Sequence, residues 1–274
     1  MEDNRPLGLV YQAVRRFREM NIGIYAAYAC YFLTLSVFPL LLLVLSSLRY
    51  TSLSAEDLIH LVSLVVPEVL MVPAEKVIVS TYYASSGAVV SVSALAAVWS
   101  ASRGMYGLLT GLNHIYGVHE DRGYIYTRLI SVAYTFVLLI VVVLTLLLQV
   151  FGESLAAWLL GLGLGWIDWL YGIFDVRFIL LLTLQTAVFT LIYMVLPNRR
   201  NGFFESLPGA AVAAVGWQTF SNLFSLYVTH FYSYTNIYGS VYVAALSLLW
   251  LFWCIAIVLF GGGLNRIILQ WRKK

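Results

Sequence analysis

The chain has 274 residues, of which 61% are hydrophobic and 11% charged, with a net charge of +3. A soluble domain carries about 25% charged residues, so a soluble catalytic core is excluded, and the length suits one membrane bundle without a sizeable soluble domain. The small cationic excess is accounted for by membrane topology, so a nucleic acid partner is not expected.

Residues 1–23 read as an amphipathic, membrane-surface segment. Val10, Val14, Phe17 and Asn21 share one face, while Arg15, Arg16, Arg18 and Glu19 lie mostly elsewhere. Asn21-Ile22-Gly23 turns the chain into a first span over 24–48, which Pro39 is expected to kink by withdrawing a backbone donor. Ser54-Ala55-Glu56-Asp57 resembles a capping box, and Pro67 ends the short helix it opens. Pro73 is expected to begin a long helix carrying the second span, 78–102, whose Ser-, Ala- and Gly-rich part permits close helix approach. An inner amphipathic extension follows, with Gly104, Gly107 and Gly111 on a thin side.

The third span, 129–150, is rich in Leu, Val and Ile and is expected to face lipid. Residues 151–174 hold Trp158, Trp166, Trp169 and Tyr171 among glycines, as an interfacial or re-entrant hairpin would. A fourth span covers 178–196. The fifth, 208–228, is expected to start at Pro208, a favoured first-turn residue. An aromatic loop over 229–240 leads to the sixth span, 241–267, and residues 268–274 form a basic tail.

Thirteen of the sixteen Lys and Arg residues fall in segments on one side of this arrangement; only Arg49, Lys76 and Arg177 fall on the other. Cationic loops resist translocation, so the pattern predicts six crossings with both termini in the cytoplasm. The expected fold class is therefore an all-α integral membrane bundle of six transmembrane helices with amphipathic interfacial helices.

No Asp or Glu lies in the central part of any span, which argues against a pump built on a buried carboxylate. Neutral polar residues do occur there. Gln185, Thr186 and Thr190 sit on the fourth span, and Gln218, Ser221, Asn222 and Ser225 form one stripe on the fifth. Such a stripe either joins helices by hydrogen bonds or lines a wet path. Arg103, at the inner end of the second span, is the best single cation for a lipid phosphate, although snorkelling also explains it. His114, His119, Glu120 and Asp121 lack the spacing of metal ligands, so no metal, cofactor or active site is expected. In the aromatic loop, Tyr238 and Gly239 are candidates for a gate.

Several segments together resemble the YihY/BrkB family of bacterial inner-membrane proteins. They are Ala27-Tyr28 with Tyr31-Phe32 through Ser36-Val37-Phe38-Pro39-Leu40; Trp99 to Tyr116 with Gly111-Leu112-Asn113; Leu196-Pro197-Asn198; Leu207-Pro208-Gly209-Ala210; Tyr238-Gly239-Ser240; and the final Gly-rich stretch with Asn265. The resemblance implies a helical integral membrane protein associated with envelope integrity and lipid or lipopolysaccharide export. One departure is Gly263, where many relatives carry an acid. The resemblance also brings an old ribonuclease BN label, which the chemistry of the inner loops does not support.

The expected function is translocation, or assisted export, of a lipid or other amphipathic envelope molecule. Arg103 and Asn113 would meet its headgroup, Gln185, Gln218 and Asn222 would line its path, and Tyr238 and Gly239 would stand near the exit. The alternative is a membrane scaffold for envelope integrity. Membrane lipids are the expected partners, with a homo-oligomer or an envelope protein as further candidates.

Overall fold

A computed structural model describes residues 15, 17–48, 54, 56–57, 59, 75–76, 78–80, 82–83, 86–137, 140, 176–230 and 235–272. Five long helices are numbered in chain order: α1 (Ile22–Leu48), α2 (Gly87–Tyr116), α3 (Val176–Val195), α4 (Phe203–His230) and α5 (Thr235–Arg272). Residues 124–137 are also helical, and no strand occurs among the described residues. Among the described residues, four helical stretches are long and apolar enough to cross a membrane: Phe17–Ser47, Gly87–Tyr116, Phe178–Val195 and Ala244–Trp271. α4 spans 28 residues but is diluted by Glu205 and by its own polar stripe. The expected hairpin at 151–174 and span residues 141–150 lie outside the described residues.

The helix α1 begins at Ile22. Asn21 adopts φ 48°, a left-handed value that asparagine tolerates, and separates the preceding turn from α1. Phe17 of that turn stacks on Phe260 of α5 at 4.5 Å between ring centroids, and Met20 is buried. The basic residues Arg15 and Arg18 stay exposed. Pro39 lies inside α1, where it deprives the Leu35 carbonyl of its usual donor. The nearby Ser36 hydroxyl donates to the carbonyl of Leu33 at 2.6 Å. In the following segment, Ser54 and Asp57 exchange the reciprocal bonds of a capping box, Asp57 N–H to Ser54 Oγ and Ser54 N–H to Asp57 Oδ2.

Four boundaries or surfaces differ from the sequence reading. α2 does not continue from Pro73: Ser86 has an extended backbone, its hydroxyl accepts from Val89 N–H, and a new helix begins at Gly87. α4 begins five residues before Pro208. Gly202 stands at its cap, and the Glu205 carboxylate returns to accept from Gly202 N–H at 3.3 Å. α5 already includes Thr235 to Ser240, so the aromatic segment there is helical rather than a loop. Finally, residues 124–137 do not face lipid all round. Thr127, Ser131 and Thr135 recur every four residues and are buried, whereas Ile125, Leu129 and Phe136 are exposed.

Contact between α1 and α2 is the most extensive in the bundle. Glycine makes it possible. A Cβ at Gly104, Gly107 or Gly111 would strike Leu33, Tyr28 with Ala29, or Tyr25, so these positions form the thin side that the sequence indicated. α5 is the central helix, touching α1, α2 and α4. Its three consecutive glycines point about 100° apart, and each admits a different neighbour. Gly261 faces Gly209, Ala213 and Tyr193; Gly262 faces Leu112; Gly263 faces Met20 and Phe17. No larger residue fits all three directions, which is the local reason for this run.

Candidate functional site

One end of the bundle gathers the start of α1, the ends of α2, α3 and α5, and the start of α4. This basic end is locked by polar side chains. Asn113, buried near the end of α2, accepts from Asn198 N–H at 2.7 Å through Oδ1 and donates to Glu120 through Nδ2 at 2.6 Å. The Glu120 carboxylate also pairs with Arg122 at 2.6 and 2.7 Å, and Arg122 reaches the Leu196 carbonyl. Its hydrogen bond to Arg122 holds the Glu120 carboxyl below the usual range, and the same pairing raises Arg122. Asn198 closes the ring by donating to His119 O. Gly117, at φ 67°, ends α2, where its N–H donates to the His114 carbonyl at 3.1 Å and Val118 N–H donates to that of Asn113 at 2.9 Å.

A second buried amide sits below it. Asn265 of α5 is fully buried, accepts from Gly209 N–H at 2.7 Å and donates to Ser206 O at 2.9 Å. It therefore bridges α5 to the turn of α4 that Pro208 disturbs. Arg266 next to it donates to the Ile115 carbonyl at the end of α2. Arg199 and Arg266 share a cavity of about 90 Å³ with Tyr116. A larger recess of about 340 Å³ opens beside Thr110, Asn113, His114 and Glu120.

Within the apolar part of the bundle, Gln218 Nε2 of α4 donates to Gln185 Oε1 of α3 at 3.1 Å. One turn further along, Trp250 Nε1 of α5 donates to Ser221 Oγ at 3.2 Å. Asn222 is exposed and its side chain has no partner among the described residues. The stripe thus starts between helices and opens onto the surface. Gln185, Gln218 and Ser221 are brought together; Asn222 lies on the open flank. Tyr238 and Gly239 fall in the first turns of α5, and their side chains lie outside the described residues.

Arg103 stands apart from both amide networks. Its guanidinium carbon lies 5.3 Å from the Phe32 ring centroid and 5.9 Å from that of Trp99. Arg128, on the next helical segment, lies over the same indole at 4.0 Å and donates to the Trp99 carbonyl at 2.9 Å. The charge of Arg103 opposes that of Arg128, and no carboxylate pairs with either among the described residues. The sequence had treated Arg128 as a topology charge only, because nothing in it shows that Trp99 and Arg128 meet.

A family model described as virulence factor BrkB matches residues 13–274. A protein of Bacillus subtilis named as ribonuclease-like, YfkH, is 32% identical over 91% of this chain and 90% of its own length. The membrane protein YihY of Salmonella typhimurium is 30% identical over 71% of this chain, which spans 64% of that relative. A membrane protein of Chromohalobacter salexigens is 42% identical, over 33% of this chain and 23% of its own length. No solved structure matches.

Proposed function

We propose, from the premise that this chain belongs to the virulence factor BrkB family, that it is a six-helix protein of the bacterial cytoplasmic membrane that translocates, or helps to export, a lipid or similar amphiphile. The basic end faces the cytoplasm, since that is where arginine-rich loops remain. The observation that carries the reading is the stripe on α4. Polar side chains in a membrane are costly unless partnered or wetted. Gln218 and Ser221 have partners on α3 and α5, while Asn222 is exposed and has no side-chain partner among the described residues. A headgroup moving along α4 would find hydrogen-bond partners there, with its acyl chains left in lipid.

Arg103 is assigned the entry contact. Asn113 is buried with its amide oxygen and nitrogen already engaged, and supports the entry by fixing the adjoining loop. Tyr238 and Gly239 are assigned the far end of the route. The scaffold alternative drew on small-residue faces, and those at Gly104, Gly107, Gly111 and Gly209 are filled from within the chain. RNA cleavage gains no support at the basic end, where the Glu120 carboxylate is engaged by Arg122 and Asn113.

Reconstitution into vesicles with fluorescent lipids in both leaflets tests the reading. Dithionite should quench beyond the outer-leaflet fraction, and Asn222→Leu should slow that extra phase. Quenching no greater than in protein-free vesicles would sink translocation.

A further inference from the structure

We propose that Arg103 and Arg128, both held at the Trp99 indole, form a phosphate clamp for a membrane lipid, with a dianionic phosphomonoester headgroup preferred over a phosphodiester. This rests on the translocation reading only for the membrane setting, and deepens it by naming the headgroup chemistry.

Position comes first. From Gly87 to Arg103 α2 climbs about 24 Å, a little less than the roughly 30 Å hydrocarbon core. Arg128 lies about one turn into the helix that begins at 124. Arg103 stands beside Phe32, about 12 Å along α1 from Ile24, so both guanidiniums reach headgroups on the basic side by snorkelling along exposed apolar surface. Trp99 and Leu129 around them are exposed apolar surface, 54% and 63%, where acyl chains would lie.

Charge comes second. Arg122 and Arg15 at the basic end pair with carboxylates, Glu120 and Glu19, and Arg266 donates to the Ile115 carbonyl as Arg128 does to that of Trp99. Arg103 and Arg128 repel one another and have no carboxylate among the described residues, yet the fold holds them at one indole. The Trp99 and Phe32 rings hold the two cations, Arg128 spends one of its five N–H donors on the Trp99 carbonyl, and a guanidinium fork matches phosphate oxygens in pairs. A phosphodiester carries one negative charge and leaves one cation uncompensated. A phosphomonoester carries about −1.5 to −2 near neutral pH and balances both.

Native mass spectrometry of the full chain in mild detergent tests this with phosphatidic acid, phosphatidylglycerol and phosphatidylcholine. Wild type should retain phosphatidic acid about tenfold over phosphatidylcholine, with phosphatidylglycerol between them. The doubly substituted R103Q/R128Q protein should lose that preference. R103K/R128K, which keeps both charges, should retain only part of it and serves as well if the glutamine variant does not fold. Equal retention of the three lipids by wild type, or an undiminished preference in the lysine variant, would overturn the clamp. Inorganic phosphate that forms its own adduct and displaces phosphatidic acid at equal concentration would also overturn it, assigning the site to free anion. Lost preference with intact scrambling removes the clamp alone, and intact preference without scrambling removes translocation alone.

Discussion

Replacing Asn265 is the most direct test of how α4 and α5 are joined. Its side chain is fully buried and satisfies two backbone groups on α4, Gly209 N–H and Ser206 O. Alanine would leave both without that partner. A buried polar group left unpaired costs about 1–3 kcal/mol, so the pair sets a range of roughly 2–6 kcal/mol. Interhelical hydrogen bonds in membrane proteins average only about 0.6 kcal/mol where the unfolded chain finds other partners. The low end of the range is therefore expected, about 2–3 kcal/mol. At roughly 2–4 °C per kcal/mol for a chain of this size, Asn265→Ala should melt about 4–12 °C lower in detergent, followed by tryptophan fluorescence. Asn265→Asp sharpens the argument, because a carboxylate could accept from Gly209 N–H but would face the Ser206 carbonyl without a donor, so this variant too should melt below wild type. An alanine variant melting within about 1 °C of wild type would refute the bridging role.

Other substitutions test separate joints. Gly261→Ala places a Cβ 2.5 Å from the Gly209 carbonyl oxygen, a backbone atom that cannot swing aside, so folded yield should fall sharply. Gly263→Ala meets the flexible Met20 side chain at 2.8 Å and should fold with a smaller loss; equal yields would contradict this packing account. Glu120→Gln should cost stability at neutral pH by removing the pair with Arg122. Because the folded carboxyl titrates below its unfolded value, that stabilisation is full above the unfolded pKa of about 4.3 and fades as pH falls through the folded one. The gap between wild-type and variant melting temperatures should therefore narrow from pH 6 to pH 3, and a constant gap would argue against the pair. Gln218→Leu should change stability by less than about 1.7 kcal/mol, the upper end for such bonds, yet slow lipid scrambling measurably; unaltered scrambling would remove Gln218 from the route.

Much of the arrangement was legible because membranes impose simple rules on a chain. The arginine distribution anticipated which helix ends meet, and the Gly104, Gly107 and Gly111 spacing anticipated the α1–α2 contact. Errors arose where a local signal had two meanings. Pro208 is a good first-turn residue, yet it sits inside α4 because Gly202 and Glu205 supply an earlier cap. Ser86 lies among small residues that read as helix interior, and only its geometry shows it to be an N-cap. Thr127, Ser131 and Thr135 were hidden by the apolar run around them, although a four-residue recurrence of hydroxyls was readable. Their hydroxyls turn back to Gly123, Thr127 and Ser131 carbonyls, so they pack as small, self-satisfied residues. Arg128 was not separable from the topology charges, since its meeting with Trp99 is a tertiary fact.

The balance of polar groups separates what holds the bundle from what is left over. At the basic end each prominent side chain is spent: Asn113 on Asn198 and Glu120, Glu120 on Arg122, Asn265 on α4. Such pairing explains stability and asks for no ligand. Arg103, Arg128 and Asn222 are different, because each places polar capacity at the surface of an apolar bundle without a side-chain acceptor or donor among the described residues. In water that would mean little, since solvent satisfies exposed groups. Beside lipid the alternatives are headgroups or water drawn into the membrane, and both serve a molecule that is polar at one end. The unspent groups also stand at two places: the arginines beside Trp99, and Asn222 beyond the Gln185–Gln218 pair on α4. The proposed path for an amphiphile uses polar groups left unspent at both places, whereas a structural scaffold calls for neither.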